Sequence, residues 1–159
     1  MLPRGGSFWY TAGMPAADKD LYYVAVKLFL ERAGALLILK DVHGGWDLPG
    51  GRLLRREFSV PLTRVVARKL REELGAALRY RLGEPKVFLR HQRREHVVGR
   101  PAVRIFAVGY QASFLGGSIK LSRRHSEFAW VPLRGLRPEQ YFRGGWLTGV
   151  REYLALRRS

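Results

Sequence analysis

Glu57, Glu72 and Glu73 are the residues with the clearest chemical potential. Glu72 and Glu73 are adjacent, and on a helix neighbours diverge by about 100°, so the pair flanks one edge. Joined by Glu57 from an arginine-rich loop, they offer hard oxygen donors of the kind that hold Mg²⁺ or Mn²⁺. Such an ion neutralises phosphate charge and activates a water. Gly50-Gly51, just upstream, allows a backbone carbonyl to approach the same ion. The chemistry suggested is that of diphosphates. The spacing also fits a solvated helix face with i,i+4 pairs Arg68–Glu72 and Lys69–Glu73, and spacing alone leaves both open.

The stretch Trp46 to Ala76, WDLPGGRLLRREFSVPLTRVVARKLREELGA, resembles the Nudix box, G-x5-E-x7-R-E-U-x-E-E-x-G-U, where U is bulky and apolar. Gly51 and Glu57 match in spacing. Arg68, Leu70, Glu72, Glu73 and Gly75 match in register, and Trp46 to Gly51 resembles the family's W-x-x-P-G-G approach. The resemblance implies an α/β/α sandwich with a mixed curved β-sheet. It implies a hydrolase of a nucleoside diphosphate linked to another group, dependent on Mg²⁺ or Mn²⁺. Gly51, Glu72 and Glu73 would be metal ligands and Glu57 would assist. Arg52, Arg55, Arg56 and Arg68 are the candidate phosphate contacts, since arginine presents a planar fork to such groups.

Two departures lie in the box. Ten residues separate Glu57 from Arg68 where the family has seven, an insertion that a loop absorbs at little entropic cost. Position 69 is Lys where the family has Glu. Its ammonium competes with a cation for Glu72 and Glu73 and can take the place of a metal. A second family segment, Leu121 to Leu133, resembles L-S-D-E-H-x-E-Y-x-W-V-P-L. The acid before its histidine is Arg124 here, while His125 is retained. In members similar to GDP-mannose hydrolases a histidine in this region is linked to base catalysis, which makes His125 the candidate base. A structural, loop-capping histidine is the alternative. Incomplete boxes occur in such enzymes and in non-catalytic binding proteins.

The charge points the same way. The 159 residues include 29 Lys and Arg against 13 Asp and Glu, a net charge of +16. It is 0 over residues 1–50, +9 over 51–100 and +7 over 101–159, so the basic field surrounds the box and the chain beyond it. Such a field steers polyanions. This supports a second function class, a catalytically inactive protein that binds RNA or a ribonucleoprotein through its arginine-rich face. A compositional bias toward arginine is the alternative explanation, although a thermophile bias would be expected to raise acids too. No cysteine is present, which excludes disulfides and thiolate metal sites. No apolar run approaches the roughly 18 residues of a membrane span, and a cytoplasmic location is the expectation. Oligomeric state is not legible.

These residues need a scaffold. The length fits a single domain. Residues 1–20 read as an arm, with Phe8-Trp9-Tyr10 docking on the core or stacking on bases. Tyr22–Leu30 and Ala35–Lys40 form a hairpin turning at Gly34. The box helix is expected from Pro61 to Leu74, capped by Ser59, with Leu62, Val66, Leu70 and Leu74 as its apolar stripe and Gly75 as its stop. Two short strands are expected on either side of a turn at Gly83. Residues 90–100 form a polar loop or ribbon in which His91 and His96 are minor metal candidates. Residues 102–110 form a central strand, and a C-terminal helix packs through Trp146, Val150, Tyr153 and Leu154. His43 reads as an exposed loop residue or a substrate contact.

Overall fold

The computed structural model describes residues 19–95, 99 and 101–158. The aromatic run at residues 8–10 and His96 lie outside them. In chain order the strands and helices are β1 (Tyr22–Arg32), β2 (Ala35–Asp41), β3 (Trp46–Asp47), β4 (Gly50–Arg52), α1 (Leu62–Leu74), β5 (Arg79–Arg93), β6 (Val103–Gly116), β7 (His125–Pro132) and α2 (Gly144–Leu156). Ala33 and Gly34 turn between β1 and β2 with φ of 46° and 76°. Both lie in the left-handed region, as a turn that matches strand twist requires.

The strands form one mixed sheet in the order β3-β2-β1-β6-β5. β1 and β6 run parallel, and the β1–β2, β5–β6 and β2–β7 pairs are antiparallel. β4 pairs with β1 so that Gly50 stands opposite Lys27 and Gly51 opposite Val26. Side chains alternate along β1. Val26, Leu28 and Leu30 meet Val65, Val66, Leu70 and Leu74 of α1. Ala25 and Phe29 face Val150, Tyr153 and Leu154 of α2. The architecture is the expected α/β/α sandwich.

Two expectations need correction. Pro61, not Ser59, precedes α1, and no side chain caps the helix. β5 runs unbroken through Gly83, with irregular register between Leu82 and Val87. A Cβ at Gly83 would stand 3.0 Å from the Gln111 carbonyl oxygen, so this glycine permits a close approach within a strand. Residues 90–93, in the stretch read as a loop or ribbon, are the end of β5. Among the described residues no helix is long and apolar enough to cross a membrane.

Candidate functional site

The site forms where the C-terminal half of α1 meets the glycine turn of β4 and the segment entering β7. The Gly50 N–H donates to Glu73 Oε2 at 2.8 Å, fixing that carboxylate against the turn. The Ser122 N–H donates to the Glu73 carbonyl at 3.2 Å, and that of Lys120 to the Leu74 carbonyl at 2.9 Å. These bonds dock the β6–β7 connection on the helix end, where C-terminal carbonyls otherwise lack partners. His125 is thereby brought beside the box, with Nδ1 3.1 Å from Ser122 Oγ.

Two cavities share this place, of about 630 Å³ and 440 Å³. Arg52, Lys69, Glu73 and Arg124 line both. Arg68, Glu72 and Arg123 line only the larger. Gly51, His43 and His125 line the smaller, along with Lys27 and Asp47. The cleft wall is therefore rich in cations around one nearly buried carboxylate. Burial raises the Glu73 carboxyl above its usual range, against the opposing pull of Lys27, the Gly50 N–H and Lys69. Burial also lowers His125 below the usual histidine value, so its ring is neutral at neutral pH.

Glu57 stands apart from both linings. Arg68 clamps it, with Nη2 2.8 Å from Oε2 and Nε on Oε1. The Leu54 N–H donates to Oε2 at 2.7 Å. Those Arg68 hydrogen bonds hold the buried Glu57 carboxyl below the usual range, although burial opposes them. Arg68 Nη1 also reaches Glu72 Oε1 at 2.8 Å. The other Glu72 oxygen accepts from Lys69 Nζ at 3.1 Å. Burial pushes Glu72 up, but these two cations outweigh it and its carboxyl lies below the usual range. Arg55 and Arg56 are exposed on a single 3-10 turn and line neither cavity.

The donor set implied for Mg²⁺ or Mn²⁺ was Gly51, Glu72 and Glu73. It does not fit such an ion in this arrangement. Glu72 has both oxygens engaged, one Glu73 oxygen is on the Gly50 N–H, and the Lys69 alkyl end packs on Gly51. Among the described residues no group of three or more His, Asp or Glu is placed to hold a metal.

Sequence reasoning missed Lys27 and Trp146 as parts of this site. Lys27 is 4% exposed, and its Nζ reaches Asp47 Oδ2 at 2.6 Å and the Leu48 carbonyl at 3.2 Å. It also stands 4.8 Å from the Trp146 ring centre. The available signal was a lone lysine inside the apolar run YYVAVKLFL. His91 stacks on Trp146 at 4.4 Å instead of joining a metal set.

A mixed sheet between two helices, with an acid-bearing helix end facing a glycine turn, is the Nudix fold. Solved structures of that fold match it closely in shape and weakly in sequence. An ADP-ribose pyrophosphatase from Streptococcus suis is 18% identical with a TM-score of 0.62, over 87% of this chain and 94% of that one. A MutT NUDIX hydrolase from Burkholderia pseudomallei is 23% identical with a TM-score of 0.60, over 84% and 98%. A NUDIX hydrolase from Nitrosomonas europaea is 17% identical with a TM-score of 0.66, over 88% and 74%. No protein-family model and no curated protein matches the chain. The chain has the Nudix fold, with Lys69 among the acids of α1.

Proposed function

We propose that the chain is a Nudix-type hydrolase of nucleoside diphosphate derivatives. The observation that carries this reading is the convergence of Arg52, Lys69, Glu73 and Arg124 on both lobes of one cleft, with His125 in the smaller lobe. The cations offset the charge of a diphosphate, and arginine forks suit its oxygens. In the reaction a water attacks one phosphorus and loses a proton to a base. The bond to the bridging oxygen breaks, and the other phosphate ester leaves with it. Glu73, made more basic by burial, and neutral His125 are the candidates for that base. In the tautomer whose Nδ1–H donates to Ser122 Oγ, the His125 Nε2 carries the lone pair that takes that proton. Arg68 orients Glu57 and Glu72 and supports the helix. Similar solved proteins are named for related substrates, an ADP-ribose pyrophosphatase and a UDP-X diphosphatase among them, which supports a nucleotide-derived substrate.

The test is a phosphate-release screen on nucleic-acid-free protein. It covers nucleoside triphosphates, nucleotide sugars, dinucleoside polyphosphates and capped RNA, with products treated with phosphatase. Turnover that Glu73→Gln abolishes is the expected result.

A second reading, binding of RNA or a ribonucleoprotein without turnover, draws on a different observation. Phe88 and Phe106 stack at 6.1 Å and are 60% and 36% exposed, with Arg90 and Arg104 beside them on β5 and β6. Exposed rings interleaved with arginine suit base stacking. No turnover on any substrate, together with RNA affinity that falls steeply with salt, would select this reading.

A further inference from the structure

We propose that the Lys69 ammonium is a built-in counter-cation, and that through it the cleft takes a nucleoside diphosphate without a divalent metal. The proposal rests on the nucleotide-hydrolase reading above. Lys69 Nζ lies 3.1 Å from Glu72 Oε2 and 3.8 Å from Glu73 Oε1. Its side chain is 12% exposed. A Cβ at Gly51 would meet Lys69 Cε at 2.4 Å and Nζ at 2.9 Å, so the end of the lysine rests directly on the glycine turn. The ammonium therefore occupies the space enclosed by the turn and the two helix carboxylates.

Three features of the cleft support this role. A divalent ion of the magnesium type needs several oxygens at about 2.0–2.1 Å in octahedral array, and the space between these carboxylates already holds a positive charge. The remaining box acid, Glu57, is buried and clamped by Arg68, so it cannot swing in to complete a set. The cleft instead presents cations of its own, since Arg52 and Arg124 stand with Lys69 where the two lobes join. A lysine held by two carboxylates is a fixed point charge, and a phosphate can bind it without first recruiting a metal. Lys69 is then a ligand-binding residue that replaces a metal ion, and Glu72 and Glu73 aim it.

The experiment titrates ADP and ADP-ribose calorimetrically into wild type, Lys69→Met and Lys69→Glu, in EDTA and again with Mg²⁺. Mn²⁺ binding is read separately by the electron paramagnetic resonance of the free ion. Lys69→Met keeps the apolar contact with Gly51, so circular dichroism is expected to show a folded control. Wild type should bind the nucleotides equally in EDTA and in Mg²⁺ and take up no Mn²⁺. Lys69→Met should bind them about tenfold more weakly, as loss of one charge-assisted contact implies. Lys69→Glu should acquire a Mn²⁺ site and bind nucleotide only with metal. Nucleotide binding by wild type that EDTA abolishes and Mg²⁺ restores would overturn the proposal, as would Mn²⁺ uptake by wild type equal to that of Lys69→Glu. If folded wild type binds neither nucleotide under either condition, the nucleotide reading itself fails and the proposal falls with it.

Discussion

Lys27 and Asp47 form an ion pair in the wall of the cleft, Nζ to Oδ2 at 2.6 Å, with the lysine side chain 5% and the aspartate 33% exposed. A lysine this deep is tolerated because Asp47, the Leu48 carbonyl and the Trp146 ring share its charge. It also contributes positive charge to the smaller lobe, beside Glu73.

Lys27→Met removes one partner and leaves Asp47 without its counter-charge. The expected loss is about 3 kcal/mol, the low end for a broken buried pair because Asp47 keeps contact with water. Adding Asp47→Asn should recover part of it. Urea unfolding of the three proteins at neutral pH measures both steps. A single variant as stable as wild type would mean the pair contributes little.

The Glu57–Arg68 clamp makes stability acid-sensitive. The folded carboxyl sits below its ordinary value of 4.5, so the folded state binds that proton less readily than the unfolded one. The stabilisation is therefore complete above pH 4.5 and disappears as pH falls through the lower, folded value. Glu57→Gln should cost about 2 kcal/mol at neutral pH, as loss of charged hydrogen bonds implies, and should flatten this acid limb. Thermal melts between pH 3 and 7, a range that spans the ordinary carboxylate values, test it. An unchanged acid limb in the variant would assign the sensitivity elsewhere.

Glu73 has the opposite sign. Its folded carboxyl is raised by burial, so the folded state holds the proton more tightly and loses that advantage as pH rises through the folded value. Burial disfavours the charged form, and Glu73→Gln removes that desolvation cost, while the amide oxygen still accepts from Gly50. The variant should melt no lower than wild type and should have no hydrolase activity. A clear drop in Tm would make Glu73 a structural residue first.

The two glycines of the turn should respond differently. A Cβ on Gly50, at φ 134°, would lie 2.1 Å from the Val26 carbonyl oxygen. Neither backbone can move without breaking the β1–β4 pairing, so Gly50→Ala should fail to fold or lose roughly 3 kcal/mol or more. On Gly51 the obstacle is only the tip of Lys69. Gly51→Ala should fold, with nucleotide binding weakened because the ammonium is displaced. Expression, circular dichroism and calorimetry on both variants decide the matter, and equal damage at the two positions would refute the contrast.

Local patterns carry much of the fold. The register of Arg68, Glu72, Glu73 and Gly75, the apolar β-rich run of β1 and the stripe of α1 are all legible in residue order. A period of 3.6 residues reports the buried face of a helix and placed α1, while short apolar β-rich runs placed the central strands. The unbroken β5 was not legible, because a strand can carry Gly83 and Pro85 when its neighbour β6 holds the pairing on either side of an irregular register. Lys27 was passed over because a single charge in an apolar run gives no hint of its partner 20 positions away.

Residue order thus determined the helix that carries the acids and the place of Lys69 among them, while the sandwich was implied by the resemblance to the Nudix box. The role of each charge emerges in the assembled fold. Glu57, Glu72 and Glu73 are chemically identical side chains, yet one is clamped by Arg68, one is shared by two cations and one faces the cleft under the Gly50 N–H. The reason is that ion pairing and desolvation depend on distances and burial across chain segments that sequence spacing does not encode.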